Sequence, residues 1–204
     1  MTDVDLKHHG SLRERKKAKT RAAIREHALR LFREQGYQAT TVEQIAAAAE
    51  VSPSTFFRYF PTKEDVVLRD DLDTRLLEAF SRQPPDLAPL PAIRAATRDA
   101  LDSFGADEMA QIRETTELML TVPEIRARAM DEFARTMEVI AEAIAKRAGR
   151  SPADLAIRTL SGAIVGVIMS VTMPWSDWTS EQATADLLPR IDEALALLES
   201  GLPL

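Results

Sequence analysis

Apolar residues recur along this chain at helical spacing, and alternation at strand spacing is nearly missing. In "TRAAIREHALRLFREQGY" (20–37), Ile24, Ala28, Leu31 and Phe32 fall at i, i+4, i+7 and i+8, and Gly36 supplies a stop. In "TTVEQIAAAAE" (40–50), Val42, Ile45, Ala46 and Ala49 repeat the pattern, with Thr41 and Gln44 spaced as a capping box. Ser52 then offers an N-cap and Pro53 suits the first helical position, while Pro61 closes that helix within about two turns. A longer helix is predicted over 63–83, and the proline-rich stretch "PPDLAPLP" (84–91) reads as a connector. Beyond it the pattern predicts helices over 92–104, 107–122, 124–148 and 152–173, and a last one over about 180–200. The expected fold class is all-α.

Two short amphipathic helices joined by a tight turn make a helix-turn-helix. The second of them, in "VSPSTFFRYFPTKED" (51–65), packs Phe56, Phe57, Tyr59 and Phe60 into five positions of a chain that has only 11 aromatic residues. A helix of two turns is unstable alone and must be anchored from behind. Phe56 and Phe60, at i and i+4, share one face and suit that anchor. Thr55 and Tyr59 share another, and Ser54, Phe57 and Arg58 point elsewhere again. The outward side therefore carries hydroxyls, a cation and a ring, groups that contact phosphate oxygens and thymine methyls. A purely structural aromatic helix is the blander alternative, but Pro53 and Pro61 leave it too short to need so many rings.

Charge sharpens the picture. The 204-residue chain has a net charge of −6, yet residues 1–66 hold 12 Lys/Arg against 9 Asp/Glu, and residues 67–204 hold 14 against 23. A basic head is joined to an acidic body. The arm "RERKKAKTR" (13–21) contributes Arg13, Arg15, Lys16, Lys17, Lys19 and Arg21 against one Glu14. Alone it would read as a solvated helix face; beside a recognition helix it reads as salt-sensitive affinity for a duplex. There are no cysteines, which excludes disulfides and thiolate zinc sites and fits a reducing cytoplasm. The start, "MTDVDLKHHG", has no apolar stretch of a secretory signal, and "LSGAIVGVIMSVTM" (160–173) is shorter than the roughly 20 residues that cross a bilayer. A cytoplasmic protein without a membrane partner is expected.

The stretch "GYQATTVEQIAAAAEVSPSTFFRYFPTKEDVV" (36–67) resembles the tetracycline-repressor (TetR) family of bacterial transcription regulators almost position by position. The resemblance covers about 50 residues and implies dimers of all-helical subunits: a three-helix DNA-binding domain, here 13–63 with its motif at about 41–60, and a larger effector-binding and dimerisation domain, here 64–204. It implies phosphate contacts from Thr41, Thr55, Tyr59 and Lys63, and base-facing roles for Ser54, Phe57 and Arg58. Ser52 and the arm residues Lys16, Lys17 and Lys19 complete the expected double-stranded DNA site. One departure stands out: the family's turn glycine is replaced by Glu50, so a strained or differently shaped turn is expected. "FFRYFP" is also similar to a branch that includes mycofactocin-associated and acyl-CoA-responsive regulators.

In the body, six of the seven methionines follow the connector. Methionine adapts to irregular apolar shapes. Met130, Phe133 and Met137 on one helix, with Ile112, Thr116 and Met119 on another, suggest walls of an effector site. Phe104, Met169, Met173 and Trp175 could add wall or rim. Generic core packing is the alternative for each of them, and an interface role is the alternative for Trp175 and Trp178. Gly162, Gly166 and Ser170 recur every fourth residue, a ridge that suits a helix packed closely on a neighbour or a symmetry mate. With Leu188, Ile191, Leu195 and Leu198 aligned on the last helix, the resemblance favours a homodimer through about 152–173 and 183–200, with intramolecular core as the alternative. The expected effector is apolar or amphipathic, in the manner of an acyl-CoA. Neither a cofactor nor a metal is expected, and catalysis finds no support: the three histidines converge on no carboxylates, and no phosphate-cradling loop or nucleophile elbow appears. The reading is a DNA-binding, ligand-responsive repressor on a pseudo-palindromic operator. A helical small-molecule carrier and a transcriptional activator remain the alternatives.

Overall fold

The structure, a computed structural model, describes residues 12–68, 70–172 and 187–203. Among these there is no strand, and the chain divides into two compact units at Val67/Leu68.

The first unit contains α1 (Leu12–Gln35), α2 (Val42–Ala48), α3 (Pro53–Tyr59) and a 3-10 turn (Glu64–Val66). Its core is Ile24, Ala28, Leu29 and Phe32 of α1 with Ile45, Ala46, Phe56, Phe60, Val66 and Val67. Leu29 rather than Leu31 completes the buried stripe of α1; Leu31 is only half-buried. The capping box forms as the spacing predicts: Gln44 N donates to Thr41 Oγ1 at 3.2 Å, and Thr41 N to Gln44 Oε1 at 2.8 Å. The predicted 63–83 helix is broken at its start. Thr62 and Asp65 hydrogen-bond reciprocally, with Thr62 N to Asp65 Oδ2 at 2.9 Å and Asp65 N to Thr62 Oγ1 at 3.3 Å. That pair begins the separate 3-10 turn.

Among the described residues the second unit has six helices: α4 (Asp70–Arg82), α5 (Pro89–Asp102), α6 (Ala106–Thr121), α7 (Pro123–Ala148), α8 (Leu155–Thr172) and α9 (Leu187–Glu199). α5 packs against α4 and α9, and α8 packs against α7 and α9, while α6 lies along α7. Phe80, Ile93, Ile140, Ile144, Ile164 and Leu195 are at the centre of their common core. Pro123 opens α7, and Pro89 and Pro91 lie inside the first turn of α5, where their missing N–H groups cost no helical bond. α7 ends at Gly149, whose φ of +63° is the left-handed cap glycine adopts without a Cβ penalty. The predicted helix over 152–173 starts three residues late, because Ser151 to Asp154 form a turn closed by Asp154 N to Ser151 O at 3.0 Å. α8 is apolar enough over its 18 residues to cross a membrane by length and composition. Here Ile157, Ser161, Ile164, Val165 and Val171 are buried in the subunit, so it is a core helix with one open face.

Candidate nucleic-acid interface

α3 is held at its front end by hydroxyls. Ser52 Oγ accepts from Thr55 N at 3.1 Å and donates to Thr55 Oγ1 at 3.0 Å, with Ser54 Oγ 2.9 Å away. A cap uses acceptor lone pairs, whereas a phosphate needs donors. Thr41, whose oxygen caps α2, therefore still has its own O–H to give, and so does Thr55. Behind the helix, Phe56 and Phe60 are both 0% exposed, with ring centroids 5.8 Å apart. In front, Phe57 is 51% exposed and meets Phe56 only edge-on at 5.5 Å. Arg58 is exposed, its guanidinium 5.4 Å from the half-exposed Tyr59 ring. Ser54, Phe57 and Arg58 thus share the open side of α3. Lys16, Lys17 and Lys19 are exposed on α1, in a stretch from Leu12 to Lys19 where every residue is exposed.

Lys63 has a more occupied role than its motif suggests. Its Nζ donates to Tyr37 O and Thr40 O, both at 3.0 Å, and sits 3.9 Å from the Tyr37 ring centroid. An ammonium has three N–H donors, so one remains for a phosphate. The neighbouring Glu64 accepts the Tyr37 hydroxyl proton in a hydrogen bond. Burial works against the Glu64 carboxylate, but the Tyr37 hydroxyl, its own backbone N–H, Thr62 and Lys63 together hold its pKa below the ordinary value. Tyr37, Glu64 and Arg25 are neighbours of the candidate interface that sequence patterning did not single out, and Arg21 was placed there only as one of the arm's cations. The available signal was the pairing of a buried tyrosine after Gly36 with the charged "TKED".

The turn between α2 and α3 answers the Glu50 expectation. Glu50 has φ +55°, and the backbone closes with Val51 N to Ala46 O at 2.9 Å and Glu50 N to Ala47 O at 3.1 Å. This is the Schellman pattern, normally built on glycine. The turn keeps the glycine shape, with a glutamate carrying the strain.

The residues expected to line an effector site are distributed. Ile112 and Thr116 are buried on α6, and Met119 is half-buried there. Phe104 is half-buried with the Arg75 guanidinium 4.6 Å over its ring. Phe133 and Met169 pack against the central core. Met130 and Met137, at 45% and 36% exposure, face outward. Further along α7, Ile140 and Ile144 lie in the central core, while Met130 and Met137 lie beyond it. Met137 does line a cleft of about 690 Å³ with Ala141, Leu155, Arg158 and Thr159, and a second, of about 720 Å³, lies on the flank of Leu155 beside Leu160 and Ala163. Met173, Trp175 and Trp178 lie outside the described residues. Leu195 of α9 is buried and Ile191 and Leu198 pack on the same core, so this stripe faces into the subunit. The Leu188 side chain is outside the description.

Comparison with known proteins gives the family. Residues 24–69 match the model for bacterial regulatory proteins of the tetR family, and residues 87–203 match the MftR C-terminal domain. The chain belongs to the tetR family. It is 37% identical over 145 residues to the HTH-type transcriptional regulator TcmR of Streptomyces glaucescens, across 68% of this chain and 64% of that protein. It is 29% identical over 180 residues to a candidate mycofactocin biosynthesis transcriptional regulator, MftR, of Mycobacterium tuberculosis, across 82% of this chain and 85% of that protein. Among solved structures, the tetR-family transcriptional repressor FadR of Thermus thermophilus, in complex with lauroyl-CoA, is 28% identical with a TM-score of 0.56. That match covers 90% of this chain and 95% of FadR. Membership of the tetR family carries DNA-binding regulation of transcription as its function, and the expectation of a non-enzyme rests on these relatives. The tetR-family match at 24–69 falls almost wholly within the first unit.

Proposed function

We propose that this tetR-family chain is a cytoplasmic repressor that binds a pseudo-palindromic operator as a homodimer and releases it when an amphipathic acyl-CoA-like effector enters the body. DNA contact falls to residues 13–63, through Thr41, Ser52, Ser54, Thr55, Phe57, Arg58, Tyr59 and Lys63 with Lys16, Lys17 and Lys19. Effector binding and self-association fall to 64–204. The observation that carries the reading is the two-sided α3: Phe56 and Phe60 are fully buried while Phe57 and Arg58 between them are open. An exposed ring beside an arginine gives this side of the helix the groups that meet thymine methyls and phosphates in a groove.

Self-association is supported by the open ridge of α8. Gly166 is exposed, nothing described lies within 4 Å of where its Cβ would stand, and Leu155 is 78% exposed. The exposed Leu197 extends an apolar surface on α9. Two recognition helices on one face of a duplex must sit about 34–36 Å apart or a multiple of that, which a symmetric pair of subunits supplies. The effector class is supported by the lauroyl-CoA complex of FadR and by the match to the MftR C-terminal domain.

The test is a mobility-shift titration with the DNA flanking the chain's own gene, at two salt concentrations, with and without lauroyl-CoA. A salt-sensitive shift reversed by lauroyl-CoA is expected. A shift indifferent to every acyl-CoA overturns the effector, and no shift at low salt favours a small-molecule carrier. Loss of the target transcript rather than its increase on deleting the gene would mark an activator.

A further inference from the structure

Arg21 belongs by sequence to the cationic arm, yet its side chain is turned inward. It is half-buried, its guanidinium lies 4.5 Å over the centroid of the Phe60 ring, and Nη1 donates to Tyr59 O at 3.0 Å. One turn further along α1, the Arg25 guanidinium is 5.8 Å from the same ring, and its Nε donates to Val66 O at 2.9 Å. Two arginines at i and i+4 thus grip the chain on either side of a fully buried phenylalanine: at the last residue of α3 and at the end of the 3-10 turn.

The grip matters because α3 is only seven residues long. Its front end is fixed by Ser52, and its rear flank by Phe56. Its last carbonyls have no partner within the helix, and the chain after Tyr59 becomes extended, with φ −137° at Phe60. A planar guanidinium can lie against a ring and hydrogen-bond in its own plane at once. A lysine ammonium, as at Lys63, can also touch a ring and carbonyls, but as a point charge it has no plane that fixes the direction of the bond. Arg21 meets both demands at the C-terminal end of α3. A small rotation about that end would move Arg58 and Phe57 by more than a hydrogen-bond tolerance while leaving the phosphate-facing lysines of α1 where they are.

We propose that Arg21 is a positioning residue for sequence reading: it sets the tilt of α3 and does not neutralise a phosphate. The proposal rests on the DNA-binding role of α3, and it separates two properties that an arm cation would change together. Phosphate contacts set the salt dependence of binding, whereas base contacts set the preference among sequences.

The experiment uses the full chain, a duplex selected from a random library by the wild-type protein, and a scrambled duplex of the same length. Binding to both is measured across a salt series for wild type, Arg21→Met, Arg21→Lys and Lys17→Ala, with thermal unfolding of each. Arg21→Met keeps an apolar stem over Phe60 and removes the charge and the donor; Arg21→Lys restores the charge and a donor but not the planar fork. Expected for both Arg21 variants are a loss of roughly tenfold or more on the selected duplex, little change on the scrambled one, and an unchanged salt slope. Lys17→Ala should weaken both duplexes alike and lower the slope by about one. The proposal is overturned if Arg21→Met lowers the slope as Lys17→Ala does, if Arg21→Lys restores selectivity, or if both variants remain folded at the assay temperature with wild-type discrimination. Should Arg21→Met be unfolded at that temperature, the folded Arg21→Lys decides the matter on the same readings. Failure of the wild type to enrich any sequence would instead sink the operator-binding reading.

Discussion

Glu50 sits where the backbone of the helix-turn-helix crosses into the left-handed region, and a side chain there crowds the following carbonyl. That conformation costs a residue with a Cβ about 1–2 kcal/mol, and glycine's extra freedom in the unfolded chain returns part of the difference. Glu50→Gly should therefore stabilise the first unit by about 0.5–1 kcal/mol, measured by urea denaturation. Removing the carboxylate should also tighten DNA binding at low salt more than at high salt. A destabilised variant would mean that Glu50 makes compensating contacts. Two adjacent phenylalanines make the complementary contrast. Phe56→Ala empties a site with no solvent exposure and should cost about 3–5 kcal/mol. Phe57→Ala should leave the melting temperature within a degree or two and lower operator affinity. If both variants unfold alike, α3 has no free face and the interface is misassigned.

Between elements, the firmest polar tie is that of α9 to α5. Asp192 accepts from Arg98 Nε at 3.0 Å and Nη2 at 2.7 Å, and Arg94 Nε lies 3.4 Å away while its Nη1 bonds Glu199. The Arg98 hydrogen bond, opposed by burial and assisted by the charges of Arg94 and Arg98, holds the Asp192 pKa below its ordinary 3.8. A carboxylate with a depressed folded-state pKa contributes stability that is fully present above its unfolded value and is lost as pH falls through the folded value. Acid titration from pH 5 downward should thus lose an increment of stability below about pH 4 that Asp192→Asn lacks throughout. Identical acid profiles for the two proteins would show that the pair contributes nothing. None of this was legible in the sequence, where Arg94, Arg98 and Asp192 are charges on helix surfaces nearly a hundred residues apart. Helix existence, the capping box and the two-faced α3 were legible because they depend on spacings within one turn. The inward turn of Arg21 and the double engagement of Lys63 were not, since each depends on a ring or carbonyl brought in from elsewhere in the fold. The α9 stripe illustrates the same limit: periodicity shows that a face is apolar, and only packing shows that the subunit itself covers it.

At the level of the assembled molecule, reading a two-fold symmetric operator requires two copies of the chain. The open α8 ridge carries that requirement, so Gly166→Arg should convert a dimer into a monomer in sedimentation velocity with little loss of helical signal. Operator affinity should fall with it while the weak, salt-sensitive attraction to any duplex persists. A wild-type chain that sediments as a monomer at micromolar concentration would remove the paired-helix geometry. The central claim is narrower: α3 lies in a groove and reads bases with its outward side. It is tested most directly by selecting duplexes from a random library with wild type and with Arg58→Ala, and comparing the enriched base patterns. Wild type should enrich a two-fold symmetric pattern, and Arg58→Ala the same pattern with preference relaxed at one symmetric pair of positions, at a cost of about 1–3 kcal/mol. An unchanged pattern in Arg58→Ala, at unchanged affinity, would contradict it.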